Sequence, residues 1–179
     1  MIIRDIIQIG NPILSKKSKF VYKIDSKETK RIFKNLVDTM HFHDLIGISA
    51  SQIGEKSRIF VTEVRKTVAR NPRTIDKLRV YINPKITWLS KRENVIYEAC
   101  GSVAYSELFA PVKRPKKIII EAFDEKGKKF ILKADGLLGR VIQHEYDHLD
   151  GIEFTEKITD MRKIMSKGEY IKRIASKTQ

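Results

Sequence analysis

The stretch Leu137-Leu138-Gly139-Arg140-Val141-Ile142-Gln143-His144-Glu145-Tyr146-Asp147-His148-Leu149 decides how the rest of the chain is read. Its apolar positions, Leu137, Leu138, Val141, Ile142, Tyr146 and Leu149, recur at helical spacing and predict one buried helix. Asp135 stands where an N-cap belongs, and Gly151 is placed to end the helix. Residues four apart on a helix are separated by about 400° of rotation and about 6 Å of rise. His144 and His148 therefore leave the same face and can take one metal ion. Glu145 lies about 100° round from His144, beside that ion, where a carboxylate can take a proton from metal-activated water. Asp147 points away and reads as a solvated or supporting carboxylate. Chance would place His-Glu-x-x-His in fewer than about one in a hundred chains of this length on ordinary residue usage.

Upstream of this helix the pattern changes. Short apolar, β-branched runs at Arg58–Val64, Val80–Leu89, Val95–Cys100, Lys117–Phe123 and Lys129–Lys133 read as strands. The last two are joined by Asp124-Glu125-Lys126-Gly127-Lys128, a hairpin turn by its polarity and glycine. Consecutive strands without helices between them favour antiparallel sheets. Asp25–Leu45 carries Ile32, Phe33, Leu36, Val37 and Met40 at helical spacing, and Asp160–Lys177 is a basic amphipathic stretch that predicts a C-terminal helix. Lys66–Lys77 reads as an exposed loop. The expected fold is α+β: antiparallel sheets packed around a central metal-binding helix, with N-terminal and C-terminal helices. We expect one catalytic domain over residues 1–179, with about 156–179 as a basic helical extension.

The chain has 179 residues, 41% hydrophobic and 32% charged, an ordinary composition for a globular protein with a sizeable core. No run of apolar residues is long enough for a membrane span, and Met1–Gly10 lacks the pattern of a secretory signal. A single cysteine, Cys100, fits a reducing compartment, so the expected location is the cytoplasm. The formal net charge of +14 favours phosphate-rich surroundings. The basic residues are scattered, however, and no helix-turn-helix, zinc-finger or RNA-recognition signature is present. Sequence-specific nucleic-acid binding is therefore not expected. Contact with a ribosome surface through Arg162–Lys177 is the form that attraction would take, against the plainer reading of a solvated basic helix.

A hydrolytic site needs a third protein ligand. No histidine follows His148, although Glu153, Glu156 and Glu169 do. Upstream stands Glu98-Ala99-Cys100-Gly101-Ser102, where a cysteine closes an extended run; a nearby dication ionises a thiol and makes it a strong ligand. Leu45–Gly54 is small and glycine-bearing, which allows close backbone approach, and Gln52 offers an amide to a developing oxyanion. His41 and His43, two apart, point about 200° away from each other on a helix and read as surface residues.

These three segments, in this order, resemble the three signature motifs of the peptide deformylases. Gly47–Gln52 is similar to the glycine-rich first motif, Glu98–Ser102 to the second and Gln143–Leu149 to the third. Ile9–Leu14, Tyr81–Pro84 and Val112–Arg114 extend the likeness over about Ile9 to Phe154. The resemblance implies that Cys100, His144 and His148 bind one divalent ion, with Fe2+ expected natively and Zn2+, Ni2+ or Co2+ as substitutes. It implies that Glu145 is general base and then acid, and that Gln52 and the Gly101 N–H hold the oxyanion. Ile46, Gly47, Ile96, Leu137 and Val141 are the expected substrate-binding positions, and Glu98 and Arg114 an expected structural pair. The implied reaction removes the formyl group from the N-terminal formyl-methionine of nascent polypeptides and releases formate. Four positions depart from the family's usual residues: Leu45 replaces glycine, Ser49 alanine, Ala99 glycine and Gly101 leucine. These departures leave open a deformylase-like hydrolase with a shifted acyl-peptide substrate. A metallo-endopeptidase and a non-catalytic ribosome-associated homologue are the remaining alternatives.

Overall fold

The computed structural model describes residues 2–173. Eleven named elements position the site: α1 (Lys27–Phe42), β1 (Gly47–Ser49), β2 (Ile59–Val64), β3 (Asp76–Leu89), β4 (Glu93–Glu98), β5 (Leu108–Pro115), β6 (Lys117–Phe123), β7 (Lys129–Asp135), α2 (Gly136–Leu149), β8 (Met165–Ser166) and α3 (Lys167–Arg173). The strands form an antiparallel five-stranded sheet, β1-β2-β3-β6-β7, and an antiparallel three-stranded sheet, β4-β5-β8. The expected α+β architecture is present, with α2 packed against β1, β2, β6 and β7.

Local chemistry explains the elements. Ser26 accepts from the Thr29 N–H and caps α1, which buries Ile32, Leu36 and Met40 at four-residue spacing. These side chains pack with Ile48, Ile59, Val61 and Ile82 into one apolar cluster. A second cluster joins Phe60 and stacked Tyr81 to Ile118, Ile120, Ile142 and Leu149, fastening α2 to the large sheet. In the β6–β7 hairpin, the Asp124 carboxylate accepts from the backbone N–H of Lys126 (2.9 Å) and Lys128 (2.8 Å). Gly127 takes φ +76°, the left-handed conformation such a turn needs.

Three strands, β1, β5 and β8, lie outside the runs read from sequence. β1 is only three residues and fully buried, so it shows no alternation. β3 begins at Asp76, earlier than expected, and β4 ends at Glu98, leaving Cys100 beyond the strand. The C-terminal stretch differs more. Instead of one helix from Asp160, the chain makes a 3-10 turn at Met161–Lys163, the short strand β8, and then α3. Pairing of Met165 and Ser166 with Phe109 and Leu108 competes successfully with helix formation there. The remainder of the expected helix, 174–177, lies outside the described residues.

The N-terminal segment threads between parts of the chain that are far apart in sequence. The Ile7 N–H donates to the Gln52 carbonyl (2.9 Å), Ile9 to Ser102 (2.7 Å) and Ser18 to Leu149 (2.8 Å). Gly151 closes α2 with φ +76°, and a Cβ there would stand 2.7 Å from the Ser15 carbonyl. Glycine is required at that position both for the turn and for the close approach.

Candidate metal centre

α2 presents His144 and His148 on one face, and the turn after β4 brings Cys100 to them. The donor atoms of the three residues lie within 4.8 Å of one another, and all three residues are buried. They are the one such group of three found among the described residues. His148 Nε2 stands 3.1 Å from Cys100 Sγ. His144 uses Nδ1 to meet Glu98 Oε2 at 2.9 Å, which leaves its Nε2 for an ion. Two imidazoles and one sulfur, buried and converging, fit a divalent transition metal. Burial pushes the Cys100 thiol up, with His144 opposing, and the charge of a bound dication would reverse that.

Behind the histidines lies a buried ionic network. Arg114 grips Glu98 with two hydrogen bonds, Nε to Oε1 at 2.7 Å and Nη2 to Oε2 at 2.9 Å. Arg140 Nη1 adds a third to Oε1 at 2.9 Å, and Arg114 Nη1 reaches Asp147. Two guanidinium groups thus balance two carboxylates. Burial alone would raise the Glu98 carboxyl, but bonds from His144 and Arg114 hold it well below the carboxylate range. The expected pairing of Glu98 with Arg114 is present. Of the two readings of Asp147 the supporting one holds: it is buried, and Lys157 Nζ meets its other oxygen at 3.1 Å.

Glu145 sits beside the donors with Oε2 free of any protein partner. Burial, the largest influence, pushes its carboxyl up to about 7. β1 approaches this carboxylate so closely that a Cβ on Gly47 would stand 2.8 Å from Glu145 Oε1. Gln52 follows β1 in a 3-10 turn and is held by the Ser49 N–H (2.8 Å) and the Ser49 hydroxyl (3.1 Å), which both donate to its Oε1. The backbone N–H already sets which way the amide faces, and the hydroxyl at position 49 adds a second bond to the same oxygen. Gln52 Nε2 donates to Cys100 Sγ at 3.4 Å and Ser102 Oγ at 3.3 Å, long contacts that redirect at small cost. No acceptor meets the Gly101 N–H among the described residues. The Gly101 carbonyl is held by Gln8 Nε2 at 3.0 Å.

A cavity of about 100 Å3 opens beside the donors, lined in part by Leu45, Ile46, Gly47, Gln52, Leu137 and Val141. Ile96 does not line it. It faces an adjoining groove of about 730 Å3 that shares Leu137, Ala69 and Arg70 with the cavity. The reason is the two-residue period of β4: Ile96 shares a face with Glu98 but stands one pair farther from the donors. His41 is exposed and meets Glu63, so it has no part in the site.

Sequence reading missed Gln8, Arg140 and Arg70. Arg70, in the loop before β3, donates to the Tyr97 carbonyl (2.8 Å) and lies over the rings of Phe109 and Tyr170. Gln8 and Arg70 sit outside the patterned segments and Arg140 on the helix but off its metal-binding pair, and the roles of all three come from contacts across the fold.

A family model for polypeptide deformylases matches residues 3–164. The peptide deformylase of Dictyoglomus thermophilum is 39% identical over 158 residues, 88% of this chain and 94% of that one. The crystal structure of peptide deformylase from Thermotoga maritima superposes with a TM-score of 0.76 at 29% identity, covering 89% of this chain and 100% of that one. A class I type b peptide deformylase from Acinetobacter baumannii, crystallised with Met-Ala-Ser bound, superposes with a TM-score of 0.80 at 25% identity, covering 88% and 99%.

Proposed function

This chain belongs to the polypeptide deformylase family, a hydrolase that removes the N-formyl group from nascent polypeptides, and from that premise we propose how its own residues divide the work. Cys100, His144 and His148 hold one divalent ion. Fe2+ is the proposed native ion, with Zn2+, Ni2+ or Co2+ as substitutes, because the donor set suits each of them. Such an ion, when bound, acidifies a water molecule and favours negative charge on the formyl oxygen.

The protein supplies the rest. Glu145 accepts the proton of the attacking water and then returns it to the departing amine, leaving formate and a free N-terminus. The Gln52 amide and the Gly101 N–H donate to the tetrahedral oxyanion. Leu45, Ile46, Gly47, Leu137 and Val141 receive the first side chain, and the adjoining groove, with Ile96, takes the following residues. Its volume of about 730 Å3 falls within the roughly 300–1,000 Å3 of ligand clefts. The Met-Ala-Ser bound to the Acinetobacter structure supports methionine as that first residue. The observation that carries the mechanism is the orphaned Glu145 oxygen, buried beside three converging donors. We further propose one catalytic domain over residues 1–179 in the cytoplasm, and ribosome contact through the basic surface of Arg162–Lys177. Of that surface, residues 174–177 lie outside the described residues.

The experiment is formate release from a formyl-Met-Ala peptide by iron-loaded protein kept free of oxygen. Release should be abolished by a chelator. Glu145→Gln should keep its metal and lose about 10²- to 10⁴-fold in rate. Undiminished release by that variant would remove Glu145 from its role.

A further inference from the structure

Glu153 lies just beyond α2, buried to 6% exposure, and neither of its carboxylate oxygens has a hydrogen-bond partner. His148 Nδ1 is likewise buried without a partner. The two orphans face each other: Glu153 Oε1 stands 3.8 Å from His148 Nδ1. Of the buried side-chain atoms without partners among the described residues, three belong to this one contact. Leaving such buried atoms unmatched is costly, so their meeting in one place calls for a partner. A donor and an acceptor at this range lie within a small adjustment of bonding.

We propose that Glu153 is a positioning residue for the metal centre, accepting a hydrogen bond from His148 Nδ1–H when His148 Nε2 holds the ion. Metal ligation through Nε2 forces the imidazole proton onto Nδ1, which turns that atom into the donor the carboxylate lacks. The same arrangement already exists at the other histidine, where Glu98 meets His144 Nδ1 at 2.9 Å. Both imidazoles would then be backed by a carboxylate. The two carboxylates differ in setting: Glu98 is neutralised by Arg114 and Arg140, whereas Glu153 has no ion-pair partner besides His148 among the described residues. No guanidinium therefore competes with His148 for its oxygens. This also accounts for a carboxylate that sequence could only offer as a candidate third ligand. It approaches the far nitrogen of a ligand rather than the ion, and it is not among the converging donors.

The inference rests on the metal site proposed above, and zinc binding by the unsubstituted protein tests that site separately. Chelator competition on zinc-loaded protein should show Glu153→Leu binding zinc about 10- to 100-fold more weakly, with Glu153→Gln between the two. In zinc-loaded protein labelled with 15N-histidine, the Nδ1–H resonance of His148 should be protected from solvent exchange, and Glu153→Leu should remove that protection. The metal-free Glu153→Leu protein should melt no lower than the unsubstituted protein, since it loses only an unmatched buried carboxylate. Equal zinc affinity in the two proteins, or a lower melting temperature without metal, would overturn the inference. Absence of zinc binding in the unsubstituted protein would instead overturn the metal site.

Discussion

At Gly101 the space for a side chain is filled from elsewhere. A Cβ there would stand 3.2 Å from Leu45 Cδ1 and 3.3 Å from Ile6 Cδ1, and Leu45 lines the cavity itself. Two departures from the family pattern, 45 and 101, therefore meet in space. Leu45 supplies the apolar wall that residue 101 lacks, while the Gly101 N–H keeps its place. Gly101→Leu should overpack the wall at a cost of about 1–3 kcal/mol and lower kcat/KM, and Leu45→Gly in that background should restore both. A double-mutant cycle on unfolding and turnover checks this; additive effects would mean that the two sites do not compensate. The metal donors and Glu145 were legible in sequence because their geometry is local, one turn of one helix. Leu45 as a wall, Gln8 as a clamp on Gly101 and Glu153 behind His148 were not legible, since each acts on a residue brought to it only by folding.

The elements that carry the site are held by the charges behind it. β4 delivers Glu98, β5 delivers Arg114 and α2 delivers Arg140, so one carboxylate ties three elements together. Its folded value lies well below the ordinary 4.5. The stability it contributes is therefore present above 4.5 and is lost as pH falls through the folded value. Arg114→Met removes two of its hydrogen bonds and leaves Asp147 short of a partner. That variant should lose about 3–5 kcal/mol near neutral pH. Its urea midpoint should also depend less on pH below 4.5, because burial then goes less opposed and the folded value climbs back. An unchanged acid limb in metal-free protein would assign the network no part in acid stability. The buried helix was plain from its period, and so were most strands. β1 and β5 escaped because a three-residue buried strand has no alternation, and β5 carries prolines at both Pro111 and Pro115.

Over the whole molecule, a net charge of +14 is the feature that pairing does not erase. Arg162 and Arg173 are largely exposed, though each also meets a carboxylate, Asp160 and Glu169. If this surface meets the ribosome, cosedimentation should weaken steeply with added salt; association that ignores salt, or none, would remove the proposal. The fold class was legible here from the order of patterned runs. The C-terminal surface was not, because its strand exists only by pairing with β5.

The threading of the N-terminal segment has a temporal meaning. Residues 7, 9 and 18 emerge first during synthesis, yet their hydrogen-bond partners are Gln52, Ser102 and Leu149. This segment must wait for residues as far along as 149, and the donors at 100, 144 and 148 cannot converge before α2 is out. A protein that trims other newborn chains thus comes of age only after its own metal-binding helix has been made.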